Sequence, residues 1–336
     1  MIKKTIHVVV LFLFTQAVCI AQTSPVGTIG FYNVENLFDT IDDPETIDEE
    51  YLAAGSNKWT EERYQNKLTN MSRVIADMAS GVDILGLSEV ENRGVLEDLV
   101  QSPNLKSKGY QIVHFNSPGR RGIDVALIYR QGVFLPFAIS NIPIKDPDDV
   151  EFLTRDILWV KGLYHGDTLH VAVNHWPSRR GGKEDKRILA AQSLRRAVDS
   201  VTNIYPSAKM VLMGDFNDDP SNKSLKKVLN ATNKLSKDDP KMLFNASTET
   251  FKKGNGTLFY RGAWNLFDQI IISQSLMQDN AEKYFYIKDS FRIFAADYMQ
   301  EQKGENKGAP FRTFSRGVYK NGYSDHYPTL IFIGKK

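Results

Sequence analysis

Lys209-Met210-Val211-Leu212-Met213-Gly214-Asp215-Phe216-Asn217 is the stretch on which the reading of the fold turns. Its apolar run reads as a buried strand. The run ends on a glycine, followed at once by a carboxylate and, two residues on, an amide. Taken alone, Asp215-Phe216-Asn217-Asp218-Asp219-Pro220 is equally well a turn assembled from turn-forming residues. Repetition elsewhere in the chain lifts it above that.

The same arrangement, a buried strand ending in a carboxylate, amide or imidazole, recurs. Phe31-Tyr32 runs into Asn33 and Glu35, Leu85-Gly86-Leu87-Ser88 into Glu89, and Val171-Ala172-Val173 into Asn174-His175. Asp268 opens a further strand, and Ser324-Asp325-His326 forms a turn. Ligands in α/β folds gather at strand ends, where residues distant in sequence converge. Each piece has a plainer reading by itself. Glu89 is a helix cap or surface carboxylate, His175 and His326 are satisfied structural histidines, and Arg179-Arg180-Gly181-Gly182-Lys183 is a solvated loop. His114, His165 and His170 have no acidic motif beside them and are read as structural.

Working outward, strands are expected over residues 28–32, 82–87, 123–129, 133–139, 169–173, 209–213, 268–272 and 330–333, with helices over 61–78 and 183–201. In the first helix Tyr64, Leu68, Met71, Ile75 and Met78 share one face at helical spacing, as core packing requires. Strands alternate with helices, and the closely spaced pair 123–129 and 133–139 reads as a hairpin. Together these predict a mixed α/β fold with antiparallel pairing. No linker, repeat or low-complexity stretch divides residues 22–336, so one domain is expected. Two segments read as long loops: the acidic run Asp39 to Glu50, and the glycine-dotted stretch 300–322, taken as a lid, a specificity element or disordered.

The chain has 336 residues, 42% hydrophobic and 24% charged, with 42 basic against 40 acidic residues. That is enough to bury a sizeable core. It excludes a disordered tail, a coiled coil, a collagen-like fibre and a protein that coats nucleic acid by bulk charge. Residues 1–21 combine Lys3 and Lys4, the apolar run Val8 to Phe14 and the small-residue exit Cys19-Ile20-Ala21. This reads as a secretory signal peptide, too short to span a bilayer. Its removal takes two lysines and no acid, leaving 40 residues of each sign, and takes the only cysteine, Cys19. An exported chain without cysteine, periplasmic or extracellular, relies on packing rather than disulfides and has no thiolate for catalysis or zinc. Neither stable membrane insertion after cleavage nor a protein partner is implied.

The polar set itself points to phosphoester chemistry. Oxygen ligands without thiolate and with few histidines favour a hard cation such as Mg²⁺ or Mn²⁺ over zinc. An aspartate and an asparagine two apart on a tight turn hold a water and a phosphate oxygen together. A histidine paired with a remote carboxylate handles a proton near neutrality, and arginines on a glycine loop after His175 suit phosphate oxygens.

In order along the chain, Asn33-Val34-Glu35-Asn36, Ser88-Glu89-Val90, Asn174-His175-Trp176, Gly214-Asp215-Phe216-Asn217, Asp268-Gln269-Ile270 and Ser324-Asp325-His326-Tyr327-Pro328 resemble the motifs of the endonuclease/exonuclease/phosphatase superfamily. That superfamily includes pancreatic deoxyribonuclease, abasic-site endonucleases, sphingomyelinases and inositol-polyphosphate 5-phosphatases. The resemblance runs from residue 28 to residue 333. The strings Asn33 to Asp39, Gly122 to Leu127 and Asn174 to Gly182 look like a bacterial secreted, nuclease-like branch.

The resemblance implies a four-layer α/β sandwich, two mixed β-sheets face to face with helices outside, as in deoxyribonuclease I. It implies Glu89 as principal metal ligand, assisted by Asn33 and Asp325, for Mg²⁺ or Mn²⁺. Asp215 and Asn217 would orient the attacking water and a phosphate oxygen. His326 would act on water or phosphate, oriented by Asp268, and His175 would lie across the phosphate near the leaving group. Either Asp215 or His326 is the general base. Arg155 would stand near the phosphate, with Arg179 as a second phosphate contact. Glu35 is outside the family's metal set and either joins the site or caps a turn. No carboxylate matches the one that orients the leaving-group histidine in deoxyribonucleases; Asp124 is the candidate.

The implied activity is that of a secreted, divalent-metal-dependent phosphodiesterase, foremost a nuclease acting on DNA or RNA. Arg120-Arg121, Arg179–Lys183 and Lys186-Arg187 are placed to follow a phosphate backbone. One alternative is a phosphomonoesterase or a phospholipid hydrolase of sphingomyelinase or inositol-phosphatase type, for which Phe259-Tyr260 and Trp264 are the candidate apolar tip. The other is a silent scaffold, disfavoured because clustered carboxylates are costly without a cation.

Overall fold

The computed structural model describes residues 25–335 apart from 237, 238, 240 and 278–283. The signal segment expected at 1–21 lies outside the described residues. In chain order the main strands are β1 (Pro25–Leu37), β2 (Ile84–Val90), β3 (Tyr110–His114), β4 (Asp124–Arg130), β5 (Phe134–Ile142), β6 (Ile157–Tyr164), β7 (Asp167–His175), β8 (Lys209–Asp215), β9 (Asp268–Ser273) and β10 (Thr329–Gly334). The main helices are α1 (Glu61–Asp77), α2 (Arg93–Gln101) and α3 (Glu184–Ile204).

The strands form two seven-stranded sheets. The first runs β10-β1-β2-β4-β3, with short strands Phe285–Tyr286 and Arg292–Ile293 against β10. The second runs β5-β6-β7-β8-β9 and continues through Leu243–Asn245 and Ala231–Thr232. Parallel pairing joins β1 to β2 and β7 to β8, and the other neighbours among the ten are antiparallel.

Alternation along each strand sorts side chains between two cores. Ile29 and Phe31 of β1, Leu127 of β4, Val171 and Val173 of β7, and Val211 and Met213 of β8 meet between the sheets. Leu85 and Leu87 of β2 face the other way, onto Tyr64, Leu68, Met71 and Ile75 of α1 and Leu96 and Leu99 of α2. On the far side Leu212 and Ile271 meet Ala190, Ala191, Leu194 and Val198 of α3. Helix, sheet, sheet, helix: the expected four layers are present. No described helix is long and apolar enough to cross a membrane.

One expectation is corrected. The pair read as a hairpin, 123–129 and 133–139, does not pair at all. β4 lies in the first sheet and β5 in the second. A tight turn, with Val133 N–H donating to Arg130 C=O and Gly132 at φ +83°, carries the chain across instead. Both strands contribute to the same inter-sheet core, Leu127 from one and Phe134 from the other, facing each other from opposite sheets.

Candidate active site

The polar strand ends converge on one edge of the sandwich. β1 and β2 run parallel with Asn33 beside Ser88, and β7 and β8 run parallel with His175 beside Asp215. Both strands of the first pair leave regular register at this edge. The β1–β2 ladder shifts between Asn33 and Leu37, and the β2–β4 ladder between Ser88 and Val90. Glu35, Asn36 and Glu89 take φ of +50°, +56° and +62°. Left-handed backbone at non-glycine residues is unfavourable and marks a position held for a purpose. Here the bulges turn Glu89 out of the sheet's alternation. Its Oε2 accepts the Asn36 N–H at 3.1 Å.

Asp215 reaches the edge because Gly214 lets β8 pass close to β7. A Cβ at Gly214 would sit 2.2 Å from the Asn174 carbonyl oxygen, so no other residue fits. Asp215 accepts from Asn33 Nδ2 at 3.1 Å and from the Asn217 N–H at 2.9 Å, and Asn217 Nδ2 donates to Trp176 C=O at 2.9 Å. Across the antiparallel pair Asp268 stands opposite Asp215. Burial, then the neighbouring Asp268 and Glu89 carboxylates, push Asp215 up to about 7, against the pull of His326.

His326 joins the two. Its Nδ1 is 2.7 Å from Asp268 Oδ2, and its Nε2 is 3.9 Å from Asp215 Oδ2. Ser324 holds the turn by accepting the His326 N–H and donating to Asn33 C=O. Burial alone would lower this imidazole's pKa, but the Asp268, Asp215 and Asp325 carboxylates together raise it well above the ordinary value. His175 is its opposite. Burial, then Arg155 and Arg121, hold its pKa well down, so it is neutral. Its Nε2 faces Asp215 and Glu89 at 3.7 and 3.8 Å, and its buried Nδ1 has no partner among the described residues.

Asp124 does not orient His175. It accepts from Ser117 N–H and pairs with His114 Nε2 at 3.0 Å. His114 therefore has the acidic partner that the sequence reading denied it, on the neighbouring strand rather than beside it in sequence. Arg179 is also placed otherwise than expected. Its guanidinium donates to Asn217 C=O, Asn265, Asp219 and Asn222 and lies 4.5 Å over the Phe267 ring, bracing the turn after Asp215. Arg155 does face the site. Burial, then Arg121, lower its pKa to about 10; Nη2 donates to Trp176 C=O, and the buried Nε has no partner among the described residues.

Two basic residues escaped the sequence reading. Lys67 of α1 is 1% exposed and donates to Thr313 Oγ1 at 2.7 Å and Tyr323 C=O at 2.6 Å. Arg312 bridges Glu35 at 3.2 Å and Asp325 at 2.6 Å, while Glu35 also accepts the Thr313 N–H. Glu35 thus neither caps a turn nor stands apart: it fastens the 311–323 segment under the site. Burial and Asp325 raise Glu35 to about 7, and burial lowers Lys67 to about 8. The signal for Lys67 was present, since it lies three residues after Tyr64 and four before Met71 on the apolar face of α1. A charge there needs a buried partner.

The donor set fits a hard divalent cation. Glu89, Asn33, Asp215 and Asp325 offer oxygens at one edge, with Glu89 and Asp215 both within 4 Å of His175 Nε2 and Asn33 bonded to Asp215. Asp215, Asp268 and His326 also bring ligand-type atoms within 4.8 Å of one another. In that trio Asp268 Oδ2 is already taken by the imidazole and the residue is fully buried, whereas Glu89 and Asp325 keep some exposure.

A family model described as the endonuclease/exonuclease/phosphatase family matches residues 28–335. No curated protein sequence matches the chain. Among solved structures, a mannosyl-6-phosphatase from Bacteroides thetaiotaomicron is similar at a TM-score of 0.55 and 15% identity, over 91% of this chain and 98% of that one. D. rerio TDP2, complexed with a single-strand DNA product, aligns at 0.55 and 13% over 92% and 98%. The human nocturnin catalytic domain aligns at 0.52 and 16% over 94% and 97%. At these identities the likeness is one of fold.

Proposed function

We propose that this chain, which belongs to the endonuclease/exonuclease/phosphatase family, is an exported phosphodiesterase that cleaves nucleic acid with the help of Mg²⁺ or Mn²⁺. Export rests on the composition of residues 1–21. The observation that carries the hydrolytic reading is His326 held between Asp268 and Asp215, beside the strained Glu89.

Asn33, Glu89 and Asp325 would hold the cation. When bound it supplies charge neutralisation at a phosphate oxygen and at the departing alkoxide. The chain's own groups do the rest. Asp215, pushed up to about 7, is suited to take a proton from the attacking water, with Asn217 fixing its direction. His326, kept cationic by Asp268, donates to a non-bridging oxygen where charge develops. Neutral His175 donates from Nε2, and Arg155, electrostatically close to Glu89 and Asp215, adds a fixed positive charge to the same site.

A lipid substrate is less well supported. The rings of Phe259 and Trp264 pack on each other at 5.1 Å, and Trp264 stacks on Tyr327, leaving Tyr260 as the exposed aromatic of that hairpin. The test is a panel of bis(p-nitrophenyl) phosphate, p-nitrophenyl phosphate, DNA, RNA and sphingomyelin, with Mg²⁺, Mn²⁺ or EDTA. Diester and nucleic-acid cleavage lost in EDTA is expected. Turnover of the monoester with the diester and nucleic acids untouched would assign a phosphatase instead.

A further inference from the structure

Two small hairpins flank a cleft beside Asp325. One joins Leu258–Tyr260 to Ala263–Asn265, the other Phe314–Ser315 to Val318–Tyr319. Each closes through a two-residue turn of the same composition, Arg261-Gly262 and Arg316-Gly317, with both residues at positive φ: +51° and +82°, then +52° and +74°. Such turns prefer asparagine or glycine at the first position, and arginine is an unfavourable choice there. Arg261 and Arg316 form no ion pair or hydrogen bond among the described residues. Both line a cleft of about 480 Å³ together with Tyr260, Glu301, Asn306 and Arg312, and Arg312 itself bonds Asp325. The first hairpin is tied to the catalytic turn by a bridge between Leu258 and His326 and by Tyr327 N–H donating to Thr257 C=O at 2.9 Å.

We propose that this cleft is a subsite for the nucleotide next to the scissile phosphate in a single strand. The inference rests on the phosphodiesterase reading and deepens it. Arg261 and Arg316 take the flanking backbone phosphates. Tyr260, 57% exposed with the Arg261 guanidinium 5.2 Å from its ring centre, offers a stacking face for the base. Glu301 and Asn306 supply acceptors for exocyclic amino groups, which a site built only to trap anions would not carry. The volume suits a mononucleotide unit.

The test uses the double variant Arg261→Asn/Arg316→Asn, because asparagine fits the left-handed turn position and the hairpins should fold at least as well. Binding of a fluorescent single-stranded oligonucleotide in EDTA is read by anisotropy. The double variant is expected to bind at least ~10-fold more weakly, with the slope of log K against log salt reduced by about 1.4 for two lost phosphate contacts. Tyr260→Ala is expected to weaken binding ~10-fold with the slope unchanged. Hydrolysis of bis(p-nitrophenyl) phosphate, too small to fill the cleft, should stay within about twofold of wild type. Undiminished oligonucleotide binding by these variants, or no binding by wild type, overturns the subsite. Loss of diester hydrolysis in step with binding overturns it too, because the hairpins would then be acting on the reaction centre. Wild type that binds but hydrolyses neither substrate refutes the phosphodiesterase reading and leaves the subsite standing.

Discussion

Asp215 and Asp268 are register partners on antiparallel strands, and His326 sits against both, with Nδ1 2.7 Å from one carboxylate and Nε2 3.9 Å from the other. Two like charges opposed across a ladder repel, and the imidazolium between them is the compensation. Asp268→Asn removes the charge that keeps His326 cationic. Turnover of bis(p-nitrophenyl) phosphate is expected to fall by ~10² or more. The melting temperature should fall as well, because the buried imidazolium loses its hydrogen-bonded counter-charge, so the rate is compared at a temperature where both proteins are folded. A silent Asp268→Asn would separate this carboxylate from the chemistry.

Cation binding is read without turnover. Mg²⁺ or Mn²⁺ in excess should raise the melting temperature of wild type, by ~2.7 kcal/mol of stabilisation at a hundredfold excess over Kd. Glu89→Gln should abolish most of that rise and cut the rate by ~10². An undiminished thermal shift in Glu89→Gln would place the cation elsewhere, with Asp215, Asp268 and His326 the next trio to test.

Lys67 is buried among Glu35, Thr313 and the Tyr323 carbonyl. Lys67→Met takes a nearby positive charge from the buried Glu35 carboxylate, which keeps Arg312 at 3.2 Å, and strips the Thr313 hydroxyl and the Tyr323 carbonyl of their donor, at an expected cost of about 1–3 kcal/mol in urea unfolding. Adding Glu35→Gln should recover a substantial part, so the two changes are non-additive. Simple additivity in this cycle would mean that the pair does not interact.

His170 gives a pH effect remote from the site. Burial, reinforced by Lys161, lowers its pKa to about 4, and its Nδ1 accepts from Trp159 Nε1. Below its ordinary value near 6.5 the unfolded chain takes up a proton that the folded chain refuses. This contribution is therefore whole above pH 6.5 and lost as pH falls towards 4. It amounts to ~1–3 kcal/mol. His170→Gln keeps an acceptor for Trp159 and should flatten the fall in stability between pH 7 and pH 4.5, measured by denaturant unfolding at each pH. An unchanged profile would exclude His170 as its source.

The site's outline is legible because each candidate residue follows an apolar run: Asn33, Glu89, His175 and Asp215 all come after buried strand residues, and the structure brings them to one edge. What was not legible depends on partners chosen in three dimensions. The sequence of β4 and β5 shows two strands three residues apart, and only their pairing with other strands, β4 with β2 and β3 and β5 with β6, shows that they part company. Asp124 meets His114 because β3 pairs antiparallel with β4, a pairing that no motif around either residue announces. Arg312 lies in an irregular segment whose polar content carries no periodicity. Lys67 is hidden differently: the apolar periodicity of α1 defines its buried face but names no partner for the lysine that lies on it.

Glu89 sits at φ +62°, a backbone state that glycine adopts freely and glutamate does not. Replacement by glycine would release ~1–3 kcal/mol of strain while deleting the carboxylate. Selection for robustness and selection for turnover therefore pull in opposite directions at this one position. With Glu89 in the proposed cation-holding role, a library screened on folding alone would be enriched in inactive survivors with a glycine at the tip of β2.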